Sequence, residues 1–176
     1  MNAATHCLVR FGAIPEVARC RVASDTVPGR GVEVVIESHR GRQLGAVVDV
    51  LPVLRAAPEA SDDEHAGGFI VLRRASPDDQ SRQRELRREA EQDFSTWVDR
   101  IRQWKIDVQL IDLEWTLDHS KLVLYVLNER GPECTKLAIQ AAAAGLGIVE
   151  VQPVSRDGLV SQPSNGGGCG SCGCHN

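Results

Sequence analysis

Lys121-Leu122-Val123-Leu124-Tyr125-Val126-Leu127 is apolar at every position after its lysine. Successive strand residues point to opposite faces, so an unbroken apolar run marks a central strand covered on both sides. The flanking segments supply the covers. Val108 to Trp115 reads as a strand that precedes it, and Thr116-Leu117-Asp118-His119-Ser120 reads as the hairpin loop between the two. Asn128-Glu129-Arg130-Gly131 ends the central strand. Pro132 to Gly145 is alanine-rich and stops at glycine, which predicts a helix, and Ile148 to Val154 reads as a last strand. A strand, a helix and a strand in that order imply a right-handed crossover and a parallel pair.

Upstream, Ser76-Pro77-Asp78-Asp79 has the chemistry of a helix start. Serine caps the free amides, proline suits the first turn, and aspartates favour the positive end of the dipole. Leu86, Ala90, Phe94, Trp97, Val98, Ile101 and Trp104 then recur at spacings of three and four, so one stripe faces a core. Phe69 to Leu72, before the cap, is a short apolar run that reads as a strand. The order helix, strand, strand, helix, strand gives an α+β layer over residues 69–157.

The first 54 residues have a different texture. His6 to Phe11 and Val17 to Val22 read as strands. Val32 to Glu37 and Arg42 to Leu51 flank Ser38-His39-Arg40-Gly41, which predicts a hairpin. Gly29, Gly31 and Gly45 suggest tight bends or a bulge. Residues 5–54 are therefore expected to form a small, twisted antiparallel β subdomain or partial barrel. Residues 55–68 lose periodicity and read as a linker. Residues 158–176 read as a flexible Gly/Cys tail.

The 176 residues carry a net charge of −4 and 42% apolar residues, enough for a core but unsuited to global attraction to nucleic acid. No apolar run approaches the roughly 18–20 residues that cross a bilayer, and no secretory signal is evident. A cytoplasmic protein without a membrane span is expected. Seventeen arginines against three lysines match either a high-GC coding bias or RNA contacts. Arg82, Arg84, Arg87 and Arg88 alternate with Glu85, Glu89, Glu91 and Asp93 along the helix, so they read as a solvated face with internal pairs. With Arg73 and Arg74 they are also the candidate contacts for a polyanion or an acidic partner.

The chemically pointed feature is Gly166-Gly167-Gly168-Cys169-Gly170-Ser171-Cys172-Gly173-Cys174-His175-Asn176. Cys169, Cys172, Cys174 and His175 offer three soft thiolates and an imidazole, a donor set for zinc or for an iron–sulfur cluster with further ligands from elsewhere. Redox thiols and an inert tail remain open alternatives. Cys7, Cys20 and Cys134 sit among apolar residues and read as core. Asp112, Glu114, Asp118 and His119 form a polar group; Asp112 and Glu114 share a strand face and read as the solvated edge of the sheet. No phosphate-binding loop, nucleophile elbow or zinc-protease motif occurs.

Several blocks, in order, resemble the polymerase-suppressor-protein (PSP) C-terminal-domain family, in particular its bacterial RicT/YaaT-like members. Val71-Leu72-Arg73-Arg74-Ala75-Ser76-Pro77-Asp78-Asp79 is similar to the family's Leu-x-x-Arg-x-Ala-Thr-x-x-Asp. Asp107 to Asp118 resembles its Glu-(Tyr/Phe)-x-x-Asp strand, and Lys121 to Val126 its Lys-(Leu/Val)-x-(Phe/Leu)-Tyr strand. Gly147 to Asp157 is similar to the final strand, and Val9-Arg10-Phe11 and Gly41 to Gly45 to the N-terminal part. Arg130-Gly131-Pro132-Glu133-Cys134 replaces the family's Arg-Val-Asp-Phe-Arg, and the tail is a shortened form of its glycine–cysteine ending. The resemblance implies a non-catalytic cytoplasmic adaptor, working with protein partners in an RNA-processing complex and on no small-molecule substrate. It also implies iron–sulfur clusters in that complex and RNA binding among eukaryotic relatives.

Overall fold

A computed structural model describes residues 5–23, 27–51, 69–128, 131–156 and 158–160. The linker expected over 55–68 and the cysteines of the tail lie outside them.

Strict alternation builds the first half. In β1 (His6–Phe11), Cys7, Val9 and Phe11 point inward and are buried, while Arg10 is exposed. β2 (Glu16–Val22) buries Cys20 and exposes Val17, Arg19 and Arg21. β3 (Glu33–Ser38) and β4 (Gly41–Leu51) form the predicted hairpin, with Gly41 at φ 118° in the tight turn. Closure comes from β5 (Ile70–Arg74), which pairs parallel with β2 and antiparallel with β3. The result is a closed five-stranded barrel in the order β1-β2-β5-β3-β4, with β4 returning to β1. Chain adjacency groups this strand with the helix after it. Hydrogen bonding and the complete burial of Val71 put it in the barrel instead. Inserting a strand where β2 and β3 would otherwise expose edges satisfies both.

The β5-to-helix junction is tightly specified. α1 (Pro77–Gln103) starts at Ser76, whose hydroxyl accepts from the Asp79 amide while Asp79 accepts from the Ser76 amide, a reciprocal capping box. Arg73 of β5 also donates to the Asp79 carboxylate, and this hydrogen bond holds that carboxyl well below the usual range. α1 buries Leu86, Ala90, Trp97 and Ile101 along the predicted stripe.

The second half is one mixed sheet. β6 (Gln109–Trp115) and β7 (Lys121–Leu127) are antiparallel. α2 (Pro132–Ala143) then returns the chain to β8 (Ile148–Ser155), parallel to β7. β9 (Gly158–Leu159) adds a short antiparallel strand at residues expected to begin the tail. Gly158 at φ 115° permits the turn, and the Gln152 side chain donates to the Val160 carbonyl. Both helices lie on the face of Leu110, Leu113, Leu122, Leu124 and Val126. The other face presents Val123 and Tyr125 to Ala13 and Ile14 in the β1–β2 turn. The central strand is thus covered on both sides, and its second cover is the barrel. The fold is α+β, and among the described residues no helix is long and apolar enough to cross a membrane.

Gly45 sits where β4 passes closest to β1. A Cβ there would lie 2.5 Å from Val9 Cγ1 and 3.0 Å from the Arg10 carbonyl oxygen. Gly45→Ala is expected to destabilise the protein by about 1–3 kcal/mol, the usual range for overpacking, as read from urea unfolding. An unchanged midpoint would show that the β1–β4 spacing is slack.

Candidate functional site

β6 is an edge strand, and a bulge between Leu110 and Asp112 changes its parity. The bulge lets Leu110 and Leu113, three residues apart, both face the helices. Glu114 is thereby turned toward the barrel. It is 7% exposed and lies at the seam between the two halves.

Three donors hold its carboxylate. The Ala13 amide in the β1–β2 turn donates at 2.9 Å, the Tyr125 hydroxyl of β7 at 2.6 Å, and Gln43 Nε2 of β4 at 3.1 Å. Ser38 in turn donates to Gln43 Oε1 at 2.9 Å. A buried carboxylate is tolerable only when its oxygens are engaged in this way, and each bond to a charged group is stronger than a neutral one. Burial, with the neighbouring Glu114 charge, pushes the Tyr125 phenol up, so it remains a donor. The expectation of a solvated edge is therefore corrected for Glu114. The strand is an edge, but its bulge aims this side chain inward.

Arg40 completes the seam. It is 2% exposed, and its Nη2 donates to Glu16 at 2.7 Å. Its guanidinium lies 5.9 Å from the centroid of the Tyr125 ring. Arg40 Nε and Nη1 are buried with no hydrogen-bond partner among the described residues. Beside this network a cleft of about 430 Å³ separates β1 and β4 from α1 and β6, with Arg10, Glu33, Arg87 and Asp112 among its walls. Asp112 accepts from Arg87 at 2.8 Å, which ties α1 to β6.

The arginines singled out in the sequence gather at the end of β5 and along α1, where most are engaged. Arg73 bonds Asp79, Arg82 pairs with Glu85 at 3.6 Å, and Arg84 donates to Ser81 at 2.9 Å. Arg87 bridges Glu91 and Asp112, while Arg74 and Arg88 are exposed. Cys169, Cys172, Cys174 and His175 lie outside the described residues. Cys7, Cys20 and Cys134 are buried; burial and the facing Cys7 push the Cys20 thiol up to about 12. No group of three or more His, Cys, Asp or Glu among the described residues could hold a metal ion. Sequence reasoning missed Gln43, Tyr125 and Arg40, which lie on three different strands or turns and carry no motif. A glutamate set between Leu113 and Trp115 was the available signal.

With this geometry in place, the class of domain can be stated. Residues 70–131 match the family model described as the PSP1 C-terminal conserved region. The matched stretch runs from β5 through α1, β6 and β7, about a third of the chain, and its first strand belongs to the barrel. No curated protein and no solved structure matches the chain.

Tyr125→Phe removes one donor and leaves the shape intact. It is expected to lower the unfolding free energy by about 1.5–3 kcal/mol, the range for a bond to a charged group. A loss near zero in urea titration would mean that Glu114 is adequately held by Ala13 and Gln43 alone.

Proposed function

We propose that this protein is a non-catalytic accessory subunit, akin to the bacterial RicT/YaaT-like PSP proteins, that holds protein partners in a cytoplasmic RNA-processing complex. The observation that carries the reading is the PSP1 match over residues 70–131, whose strands are bonded through Glu114 and Tyr125 to a barrel. A fold whose halves are joined by directional hydrogen bonds suits a part that positions others. RNA contact through the arginines of β5 and α1 is disfavoured, because carboxylates of the same chain already engage Arg73 at the end of β5 and Arg82 and Arg87 on α1. Tagged full-length protein, purified gently from its native host, is expected to bring down a ribonuclease together with its accessory proteins. Recovery of neither a ribonuclease nor PSP-family partners, from cells that express them, would overturn the reading.

A second reading rests on the donor set of the tail. Three thiols and an imidazole within Cys169–His175 suit zinc or part of an iron–sulfur cluster, completed by a partner or a second copy. When bound, such a group would supply a cross-link or an electron store. Anaerobic purification is expected to yield iron or zinc above background, lost in the Cys172→Ser, Cys174→Ser double variant. Metal content that is absent, or equal in the variant, would remove this role.

A further inference from the structure

The outer face of β1 and β2 carries a cluster that the α1 reading does not include. Arg10, Arg19 and Arg21 are all exposed, and their neighbours Val9 and Cys20 point into the barrel. The register places them together. Leu8 is opposite Arg19 and Arg10 is opposite Val17, so Arg10 and Arg19 are diagonal neighbours, about 7–8 Å apart. Arg19 and Arg21 are two residues apart on one strand, about 7 Å. None of the three forms a salt bridge among the described residues. Among the described residues three acids border the face, and all have partners. Glu16 is bonded to the buried Arg40, and Asp49, opposite Leu8 on β4, accepts from the Val50 amide. The third, Glu33, is paired like Arg10 with Ala46 of β4 and accepts from Gln80. This is the reverse of α1, where arginine alternates with glutamate.

We propose that this β1–β2 face binds a phosphodiester backbone without reading the bases. Three guanidinium groups at steps of about 7 Å can each take a phosphate of one strand, and arginine's planar fork suits that oxygen geometry. An acidic protein fits less well. β1 is paired on both sides, with β2 and β4, so it offers no free edge for strand addition. The face has no aromatic anchor; its exposed apolar side chain is Val17, 55% exposed. Protein partners usually require an apolar centre with anchors, whereas counterion release alone suffices for a polyphosphate. The lack of aromatics also excludes base stacking on this surface. The inference rests on strand register and charge and does not require the accessory role.

The test is fluorescence anisotropy of a labelled 20-nucleotide oligouridylate with the full chain at several salt concentrations. Three contacts on a single strand predict a slope of about −2 in log K against log salt, or roughly a twenty-fold fall between 50 and 200 mM. The Arg10→Gln, Arg19→Gln, Arg21→Gln triple variant is expected to bind at least ten-fold more weakly and to lose most of that slope. The Arg74→Gln, Arg84→Gln, Arg88→Gln triple variant, at the end of β5 and on α1 (the α1 variant), is expected to stay within two-fold of wild type. If the barrel triple variant does not fold, the single variants Arg19→Gln and Arg21→Gln are each expected to reduce the slope by about 0.7. Undetectable or salt-insensitive binding would overturn the proposal. So would binding lost in the α1 variant but kept in the barrel variant, or polyglutamate competing as well as the RNA at equal charge. Because the co-purification above does not depend on this face, the two readings can fail separately.

Discussion

The Glu114 carboxylate is the point on which the two halves depend. One of its donors is a backbone amide in a barrel turn, one is a side chain on a barrel strand, and one is a phenol on the central strand of the sheet. Removing any of them leaves a charge buried with fewer partners, and that cost is larger than the value of a surface ion pair. The apolar contacts of Val123 and Tyr125 with Ala13 and Ile14 bring the halves together without fixing an angle. Hydrogen bonds are directional, so the carboxylate sets the orientation. Gly12, at φ 86°, allows the turn that presents the Ala13 amide.

A second constraint is the position of β5. It is the final strand to enter the barrel and the first segment of the PSP1 match. Its last arginine pair leads directly into the α1 capping box, where Asp79 serves the cap and Arg73 together. The barrel and the first helix are therefore joined by a short, multiply bonded corner, and setting the matched stretch apart from the barrel would leave β2 and β3 with open edges. This also explains why α1 crosses above the cleft, tied to β6 by Arg87 and Asp112.

Charge is distributed unevenly over this frame. On α1, arginines lie at helical spacing from glutamates and neutralise one another. On the barrel, strand alternation puts Arg10, Arg19 and Arg21 on one side with histidine, leucine and valine as cross-strand neighbours. The net charge of −4 conceals this difference, because a total has no geometry.

The secondary elements were legible in the sequence because each rests on local rules. Short apolar-rich runs at His6–Phe11 and Val17–Val22 read as strands, the Ser76-Pro77 cap and the stripe from Leu86 to Trp104 marked α1, and the all-apolar run at Leu122–Leu127 announced a strand covered on both sides. The motifs around Val71–Asp79 and Lys121–Val126 pointed to the PSP family. Three matters were decided by tertiary structure. β5 closes the barrel because it satisfies the open edges of β2 and β3, with β2 pairing residues 49 positions away. Glu114 is buried because a bulge at Leu110–Asp112 changes the parity that period-two counting assumes. The exposed arginines became a cluster only when register set β1 beside β2. Local chemistry is written in neighbouring residues, whereas a site assembled from four segments exists only after long-range pairing has brought them together.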